Sequence, residues 1–404
     1  MRPSRMVGNS RYNLSTTSSD YSDVLYFDEN GPVTSDADIN SAFRKYKMSF
    51  VGSSVAAGAR LSSGLMDQTM KVGLALNNWT ALTPLEQAIE WWGFDWGYGQ
   101  TPDLSSWIES VVNYNSTFLE WSADNMFVVH QRGFKVIVLG EADIFLRPEQ
   151  IRFNTTVKNI SWSNVGVNIS AFNLDGHLYM IEADYAIVTF SIGVLQHDAS
   201  TLFTPRLPDW KLESIQAFSM SIYPKIFLSF PIKFWNDSQY SLYIDPYSRG
   251  RYAVWQDLSL PGFLPDSNII SVTVTDQQSD LVEAQPEEVT KAELMETLGK
   301  MYPGVDIAEP NGIFIPRWHS DPLFRGSYSN WPAGYPKALH NQLRAPVGEG
   351  RVIFSGEATS YKYYGFLQGA YFEGIRAAEE VLHLLRGGTH IFRTDGVLRG
   401  CNGL

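Results

Sequence analysis

The chain has 404 residues, 44% of them hydrophobic and 14% aromatic, so it can bury a large core and is long enough to form two lobes. Its 43 acidic residues outnumber its 31 basic ones, and the net charge of −12 argues against a nucleic-acid-binding surface while it is compatible with a cationic small molecule. The single cysteine, Cys401, leaves no disulfide framework, zinc site or cysteine nucleophile available.

Targeting signals in the sequence conflict with one another. No apolar run approaches the ~20 residues needed to cross a bilayer, and residues 1–20 lack the apolar segment of a secretory signal. Yet N-glycosylation sequons occur more often than random placement of these residues should give. They lie at Asn13, Asn78, Asn115, Asn154, Asn159, Asn168 and Asn236. We predict a secreted, glycosylated parent protein whose N-terminal segment is missing from this chain; otherwise the sequence favours a cytoplasmic location.

Residues 40–92 have a mainly helical pattern, with a helix start at Thr83 to Glu86. The glycine cluster Gly52 to Gly58 has the wrong spacing for a G-x-G-x-x-G turn and follows the basic residues 44–47, so we interpret it as a helix interruption or loop. Residues 91–100, WWGFDWGYGQ, predict an aromatic, glycine-rich turn. One interpretation of this turn is a hydrophobic corner between helices.

Residues 151–195 alternate as β-strands do, with a turn at Asp175-Gly176, and end in an apolar run over 183–195 that predicts a buried strand. The next strand pattern, 221–230, places Tyr223, Lys225 and Phe227 on one face. Burial lowers the pKa of a lysine, so such a lysine is rare unless it is functional or lies at a strand end. The alternative is an edge-strand lysine that reaches solvent beside Pro224.

Further strands are predicted over 250–255 and 269–275, and an amphipathic helix over 287–301. His319 has no visible partner and a loop setting, so we interpret it as a surface or hydrogen-bonding histidine rather than a catalytic base.

The C-terminal stretch 351–385 predicts a buried strand, a break at Gly356-Glu357, a tyrosine-rich loop and a helix from about Gly369 to Leu385. The helix places Ala370, Ala377, Ala378, Val381, Leu382 and Leu385 on one broad face. Unsatisfied N–H groups at its glycine-rich start suit an anionic or electron-rich group, and Glu357 could accept from a ribityl or ribose hydroxyl. The alternative is an ordinary strand–helix unit of an α/β sheet.

These C-terminal residues carry a family resemblance. The ordered set GEATS (356–360), YGFLQGAY (364–371) and GIRAAE (374–379) resembles the FAD-binding signature of flavin-containing amine oxidases, most closely the fungal and plant polyamine oxidases. The resemblance implies a mixed α/β, two-lobe FAD-dependent amine oxidase fold. It covers roughly residues 10–386, and the Rossmann-like βαβ unit that opens the family is missing. FAD would be non-covalent, since no cysteine lies near the motif, and weakly bound or absent if the chain is complete.

The resemblance also implies a division of the chain into segments. Residues 1–122 would be a mostly helical part of the substrate lobe, and 123–212 a part of the FAD domain. Residues 213–327 would supply the substrate-lobe sheet and helix, 328–390 the C-terminal FAD segment, and 391–404 a tail.

Site roles are likewise implied by the resemblance. The catalytic group would be Lys225, which would hold a water against flavin N5, with Tyr328, Phe366 and Tyr223; Phe366 replaces a tyrosine common in the family. Cofactor contacts would come from Glu357, Gly356, Trp318, Gly369, Ala370 and Ser191. Gln100, Tyr328 and Phe366 would contact substrate. Some members carry a glutamate at the position of Gln100, so the neutral amide puts a polyamine preference in doubt.

The expected activity is FAD-dependent oxidation of an amine, favouring polyamines such as spermine or spermidine. Hydride would pass to flavin N5, the imine would hydrolyse, and O2 would be reduced to H2O2. Oxidation of monoamines or L-amino acids stays open, and the histone-demethylase branch is less favoured because no long helical insertion is present. The alternative class is a truncated, non-catalytic, glycosylated binding protein.

Overall fold

A computed structural model describes residues 9–119 and 126–388 of the chain. The predicted tail 391–404, with Cys401, lies outside these residues. The α-helices are α1 (Asn9–Tyr12), α2 (Asp36–Ser62), α3 (Met70–Leu76), α4 (Pro84–Glu90), α5 (Trp96–Tyr98), α6 (Trp107–Tyr114), α7 (Lys135–Ala142), α8 (Ile192–Leu202), α9 (Asp209–Ala217), α10 (Asp276–Ala284), α11 (Glu287–Met301), α12 (Lys337–Arg344) and α13 (Leu367–Leu385). Two π-helical segments, Trp91–Asp95 and Asn115–Leu119, and two 3-10 turns, Pro148–Gln150 and Glu357–Thr359, complete the helical elements of the described part.

The strands are β1 (Thr16–Ser18), β2 (Val24–Asp28), β3 (Gly31–Pro32), β4 (Met126–Val128), β5 (Thr156–Trp162), β6 (Val167–Phe172), β7 (Leu178–Ala183), β8 (Ala186–Val188), β9 (Phe203–Thr204), β10 (Ser219–Ser221), β11 (Lys225–Ser229), β12 (Tyr240–Tyr243), β13 (Val254–Asp257), β14 (Ile269–Thr273), β15 (Gly312–Phe314), β16 (Tyr328–Asn330) and β17 (Val352–Phe354). The chain divides into two compact units. Unit 1 is Met1–Ile151 with Ser221–Gly334, and unit 2 is Arg152–Met220 with Tyr335–Leu404.

Unit 1 contains a seven-stranded sheet in the order β15-β11-β14-β13-β12-β2-β3, in which only the β12–β2 pair is parallel. Period two explains β11, because Ile226 and Leu228 are fully buried while Lys225 lies on the opposite, half-buried face. Helix α11, whose predicted bounds are confirmed, packs Leu298 and Met301 into the same core.

The helical part of unit 1 corrects one prediction and confirms another. Helix α2 runs unbroken through Gly52 to Gly58, so the predicted interruption is wrong. A Cβ at Gly52 would lie 2.7 Å from the side-chain oxygen of Asn77, so glycine allows the two residues to pack closely. This packing offsets the free energy of about 1 kcal/mol that glycine costs in a helix relative to alanine. The predicted helix start is confirmed, since Thr83 and Glu86 form a capping box at α4.

The second segment of unit 1 begins at Ser221, and this residue lies next to Ser327 near the end of the same segment. The carbonyl of Ser221 accepts from the N–H of Ser327 at 2.8 Å. The N–H of Tyr223 donates to Ser327 Oγ, also at 2.8 Å. The two ends of a segment of about a hundred residues are therefore joined within unit 1.

Unit 2 contains a four-stranded sheet, β7-β6-β5-β9, with the predicted turn at Asp175-Gly176, and a parallel pair, β8–β17. The single strand predicted over 183–195 is wrong beyond Val188. Ser191 is instead the N-cap of α8 and accepts from the N–H of Val194 at 3.1 Å. A serine at this position satisfies an otherwise unpaired helix donor, and this local bond outweighs the apolar pattern.

Helix α13 buries Gly369, Glu373 and Ala377, so the predicted apolar face is buried at Ala377 but not at its C-terminal leucines. Leu382 and Leu385 are 49% and 59% exposed, whereas Glu373 is buried. The carboxylate of Glu373 accepts from Arg376 at 2.7 Å, from Arg344 at 3.3 Å and from a threonine hydroxyl at 3.0 Å. This network explains which face turns inward, because a buried carboxylate is retained only where donors surround it.

A buried lysine terminates the neighbouring helix α12. Lys211 is fully buried, and its Nζ donates to the carbonyls of Gln342, Leu343 and Ala345 at 3.0, 2.6 and 2.6 Å. The end of α12 leaves the carbonyls of Leu343 and Ala345 without intrahelical donors, whereas that of Gln342 also accepts from the N–H of Ala345 at 3.2 Å. Burial lowers the pKa of Lys211 well below its ordinary value of 10.5. Within the described residues, no helix is long and apolar enough to cross a membrane.

Candidate functional site

Two predicted site residues in unit 1, Tyr223 and Tyr328, form an aromatic pair. Their ring centroids lie 5.7 Å apart at an interplanar angle of 50°. The hydrogen bond between Tyr223 and Ser327 fixes this approach, because it ties one backbone to the residue before the other. Burial raises the pKa of both phenols, so both remain protonated at neutral pH.

Lys225 begins β11, two residues after Tyr223. Strand β15 pairs only with residues 227–229 of β11, so Lys225 lies at a strand end but in a strand flanked on both sides. Its Nζ lies 5.7 Å from the ring centroid of Phe127, and within the described ranges no carboxylate pairs with it. Burial lowers the pKa of Lys225 to about 8, so the amine can gain or lose a proton near neutral pH.

The predicted aromatic turn is a π-helix, Trp91–Asp95, followed by the single turn α5 and a left-handed Gly99. A Cβ at Gly99 would lie 2.9 Å from the hydroxyl of Tyr328, and that hydroxyl donates to the carbonyl of Gly97 at 3.3 Å. The segment 97–100 therefore lies against Tyr328. Gln100, its last residue, accepts through Oε1 from Asn330 at 2.9 Å.

A buried ion cluster that the sequence did not suggest holds this π-helix. Arg249 donates to both carboxylate oxygens of Asp95 at 2.6 and 2.7 Å, and to Glu90 at 3.0 Å. Burial, with the charge of Glu90, raises the pKa of Asp95 to about 7 against the lowering effect of Arg249. Positions 90 and 95 share a face only where the helix has π geometry, so an α-helical reading of the spacing misses the pair.

Trp318 and His319 contact residues other than Tyr223 and Tyr328. Trp318 is 37% exposed and packs edge-on against Phe324 at 4.9 Å. His319 is exposed, and its Nδ1 lies 2.8 Å from a carboxylate oxygen of Asp280. The interpretation of His319 as a surface, hydrogen-bonding residue is confirmed.

In unit 2, the predicted cofactor residues gather at one edge of the β8–β17 pair. Parallel strands end at the same edge, and Ser191 follows β8 while Gly356 and Glu357 follow β17. Gly356 has φ +128°, and a Cβ there would have no heavy atom within 4 Å. The carboxylate of Glu357 accepts from the N–H of Gly365 at 2.5 Å, and a carboxylate can accept more than one hydrogen bond.

The start of α13 fits an electron-rich ligand. Phe366 occupies the N-cap with extended backbone, and its side chain makes no cap hydrogen bond. The N–H of Gly369 donates to the carbonyl of Phe366 at 3.0 Å, so the partial positive charge of this 19-residue helix start lies on the N–H groups of Leu367 and Gln368. Ala370, in the first turn, is exposed. An open glycine position, a carboxylate and a helix start without a side-chain cap are features that fit the ring and ribityl parts of a flavin.

Gly369 allows the tyrosine-rich loop to pack closely against the start of α13. We expect alanine at this position to disrupt that packing. The added Cβ would lie 2.2 Å from the backbone oxygen of Tyr363. Because this is a backbone atom, it can move away only if the whole loop shifts. Gly369→Ala should destabilise unit 2 by about 1–3 kcal/mol and lower flavin retention. Gly374→Ala, in the same helix with open space around it, should instead stabilise by up to about 1 kcal/mol. Thermal unfolding of both variants tests this, and equal behaviour would contradict the packing role of Gly369.

The sequence profile of the flavin containing amine oxidoreductases matches residues 76–382. The chain belongs to the flavin-containing amine oxidase family. The predicted family is confirmed, and so is FAD as the cofactor on which the family depends.

Plant members of the flavin-containing amine oxidase family resemble the chain over most of its length. "Polyamine oxidase 7" of Oryza sativa subsp. japonica is 39% identical over 73% of this chain and 62% of its own length. "Polyamine oxidase 1" of Zea mays is 39% identical over 74% of the chain and 60% of its own length. The chain thus spans about 60% of the length of these relatives.

A solved amine oxidase confirms the fold. The structure of putrescine oxidase, wild type bound to putrescine, superposes with a TM-score of 0.69 at 18% identity, and covers 94% of this chain and 85% of its own. The mixed α/β amine oxidase fold predicted from the sequence is therefore confirmed.

Proposed function

We propose that this chain, with FAD bound, oxidises an amine at a carbon–nitrogen bond, with polyamines such as spermine or spermidine as substrates. The observation that carries the proposal is Lys225 with its neighbours. A half-buried lysine without a carboxylate partner in the described residues stands two positions from Tyr223, whose ring packs against Tyr328. Identity to plant polyamine oxidases supports the substrate class.

FAD, when bound, would accept the hydride that leaves the amine and, with it, the two electrons of the oxidation. The protein's part is to position and to exclude water. The rings of Tyr223 and Tyr328 would hold a neutral amine nitrogen against a flat surface, and their protonated hydroxyls add no charge that could trap it as an ammonium. Lys225 Nζ would hold a water and exchange a proton with it, as a pKa of about 8 permits.

We propose that unit 2 contributes the flavin contacts. The backbone at Gly356 would allow close approach of the ligand, and Glu357 would accept from a ribityl hydroxyl. The N–H groups at the start of α13 would face electron-rich atoms of the flavin ring. Phe366, at the N-cap, would present an aromatic wall without a hydroxyl.

The secretory origin stays a prediction. The sequon residues Asn78, Asn154, Asn168 and Asn236 are exposed. Asn159 differs, because its side-chain amide donates to the carbonyl of Leu202 at 3.1 Å and is half-buried.

The test of the proposed function is the visible absorbance of the purified 404-residue chain before and after incubation with FAD and desalting. We expect flavin bands to be retained and H2O2 to appear when a polyamine is added in air. If flavin is retained but H2O2 forms only from monoamines or L-amino acids, the substrate belongs to those classes instead. A protein that stays colourless would contradict the oxidase proposal and favour a non-catalytic amine-binding protein.

A further inference from the structure

Helix α2 carries apolar residues on two opposite sides. On one side Tyr46 and Ala57 are buried in the helical core of unit 1. On the other side Met48, Val51 and Val55 are 76%, 56% and 71% exposed. A helix that is apolar on all sides is normally buried on all sides, because exposed apolar side chains leave area in contact with water. The outer side of α2 is therefore a surface that a partner can cover.

Two basic residues share the outer side of α2 with these apolar ones. Five exposed residues of the helix lie within an arc of about 100° at 3.6 residues per turn. They are Arg44, Lys47, Met48, Val51 and Val55, and we call them the α2 face. The face therefore combines positive charge with exposed apolar area.

The α2 face is positively charged in a chain that is acidic overall. Residues 39–66 contain four basic residues and no acidic one, whereas the whole chain has a net charge of −12. Lys45, on another side of the helix, is paired with Glu86 at 3.1 Å. In the part of the chain that the structure describes, no carboxylate forms an ion pair with Arg44 or Lys47. Both cations can therefore meet an anionic partner.

Helix α3 adds exposed apolar area beside α2. The side chain of Asn77 packs against Gly52 of α2, and the residue before it, Leu76, is 68% exposed. Single exposed apolar residues are ordinary on a protein surface, but a group of them is typical of a docking site for a protein or a membrane.

We infer that the α2 face docks the protein on a bilayer that contains anionic lipid. Interfacial helices insert apolar side chains at the level of the headgroups and place Lys and Arg against the lipid charges, and α2 supplies both kinds of side chain. An anionic surface repels a chain of net charge −12 as a whole. The contact is therefore made by this acid-free side rather than by the average surface.

A second copy of the chain fits the α2 face less well. In a two-fold contact the same patch meets itself. The face has no carboxylate, so Arg44 and Lys47 of each copy would lose water without gaining a counter-charge. Anionic lipid offers that counter-charge together with an apolar layer.

Flotation of the full chain with lipid vesicles on a density gradient tests the inference. We expect the protein to float at low salt with vesicles of phosphatidylcholine and phosphatidylserine, and to stay at the bottom with phosphatidylcholine alone. Raising the salt concentration should weaken the binding, because salt screens the attraction between the cations and the lipid. The measurement needs no flavin, so its result is independent of the proposed oxidase activity.

Paired substitutions separate the two parts of the face. Val51→Gln with Val55→Gln should weaken binding to the anionic vesicles by roughly tenfold or more, because the apolar insertion is lost. Arg44→Gln with Lys47→Gln should weaken it by roughly fivefold for each charge removed.

The matched control is Val289→Gln with Lys300→Gln on α11, which changes one apolar and one basic surface residue elsewhere and should bind like wild type. Equal weakening of the control and the two α2 variants would overturn the inference. So would the absence of flotation with anionic vesicles, or equal flotation with neutral ones. The lipid and salt dependence of wild type decides the question even if circular dichroism shows that a variant is unfolded.

Light scattering without vesicles tests the other occupant. A wild-type dimer that Val51→Gln with Val55→Gln dissociates would show that a second copy covers the α2 face, and would overturn the lipid inference. A monomer that floats only with anionic vesicles would support it.

Discussion

Arg249→Met is expected to destabilise unit 1 by about 3–5 kcal/mol, because it leaves the buried carboxylates of Asp95 and Glu90 without their shared guanidinium. Since the cluster holds the π-helix that leads into segment 97–100, amine binding should weaken as well. Thermal unfolding followed by circular dichroism should show a midpoint lower by roughly 10 °C. Arg251→Met is the matched control, because Arg251 is more exposed and meets Glu293 at 3.4 Å. It should cost at most about 1 kcal/mol.

The pH dependence of Arg249→Met provides a second measurement. In the wild-type protein the pKa of Asp95 is raised from 3.8 to about 7, so between these values the native state keeps a proton that the unfolded chain releases. Stability from this group therefore falls as pH rises from about 4 to 7. Loss of the guanidinium raises the pKa further, so the variant should lose more stability than wild type between pH 5 and 8. Unfolding curves for Arg249→Met and Arg251→Met that coincide would show that the cluster does not hold the π-helix.

Lys225→Met is expected to slow reoxidation of the reduced flavin by O2 by about 100-fold, while reduction by the amine changes far less. The variant keeps the apolar stem but removes the Nζ that would hold water and exchange a proton. Anaerobic reduction followed by rapid mixing with oxygenated buffer separates the two half-reactions. Lys71→Met, at an exposed position of α3, is the control and should leave both rates unchanged.

The same experiment has a pH signature. Because burial lowers the pKa of Lys225 from 10.5 to about 8, the ammonium form predominates below pH 8 and the neutral amine above it. An ammonium stabilises the negative charge that develops as oxygen is reduced, so the wild-type rate should fall as pH rises through about 8. The Met variant should lack this titration. A reoxidation rate that is the same in both proteins across the range would remove Lys225 from the oxygen reaction.

Local patterns predicted the fold where the deciding interactions are themselves local. The helix start at Thr83, helix α11 and the strand–turn–helix order of residues 351–385 depend on neighbours a few positions away, and all are confirmed. The prediction over 183–195 is wrong because one hydroxyl, that of Ser191, switches the chain from strand to helix within an apolar run. The prediction at Gly52 is wrong for a different reason, since its packing partner Asn77 is the C-cap residue of another helix, α3.

Buried charges mark the limit of sequence reasoning in this protein. Lys211 meets its three carbonyl partners more than 130 residues away, and Arg249 meets Asp95 at a separation of 154 positions. Nothing near either residue in the chain indicates such a partner. Lys225 was recognisable because its strand is otherwise strongly apolar.

The hydrogen bond between Ser221 and Ser327 has a kinetic meaning for folding. Unit 2 is discontinuous, and its β8–β17 pair joins residues 186 and 352. Closing so long a loop from an unfolded chain costs roughly 4–5 kcal/mol in entropy, which slows nucleation. If unit 1 forms first, the Ser221–Ser327 contact already brings the two flanks of unit 2 together and leaves only short connections to order. Folded unit 1 would then keep the two chain segments of unit 2 close to each other. The late, rate-limiting step of folding would be the pairing of β8 with β17.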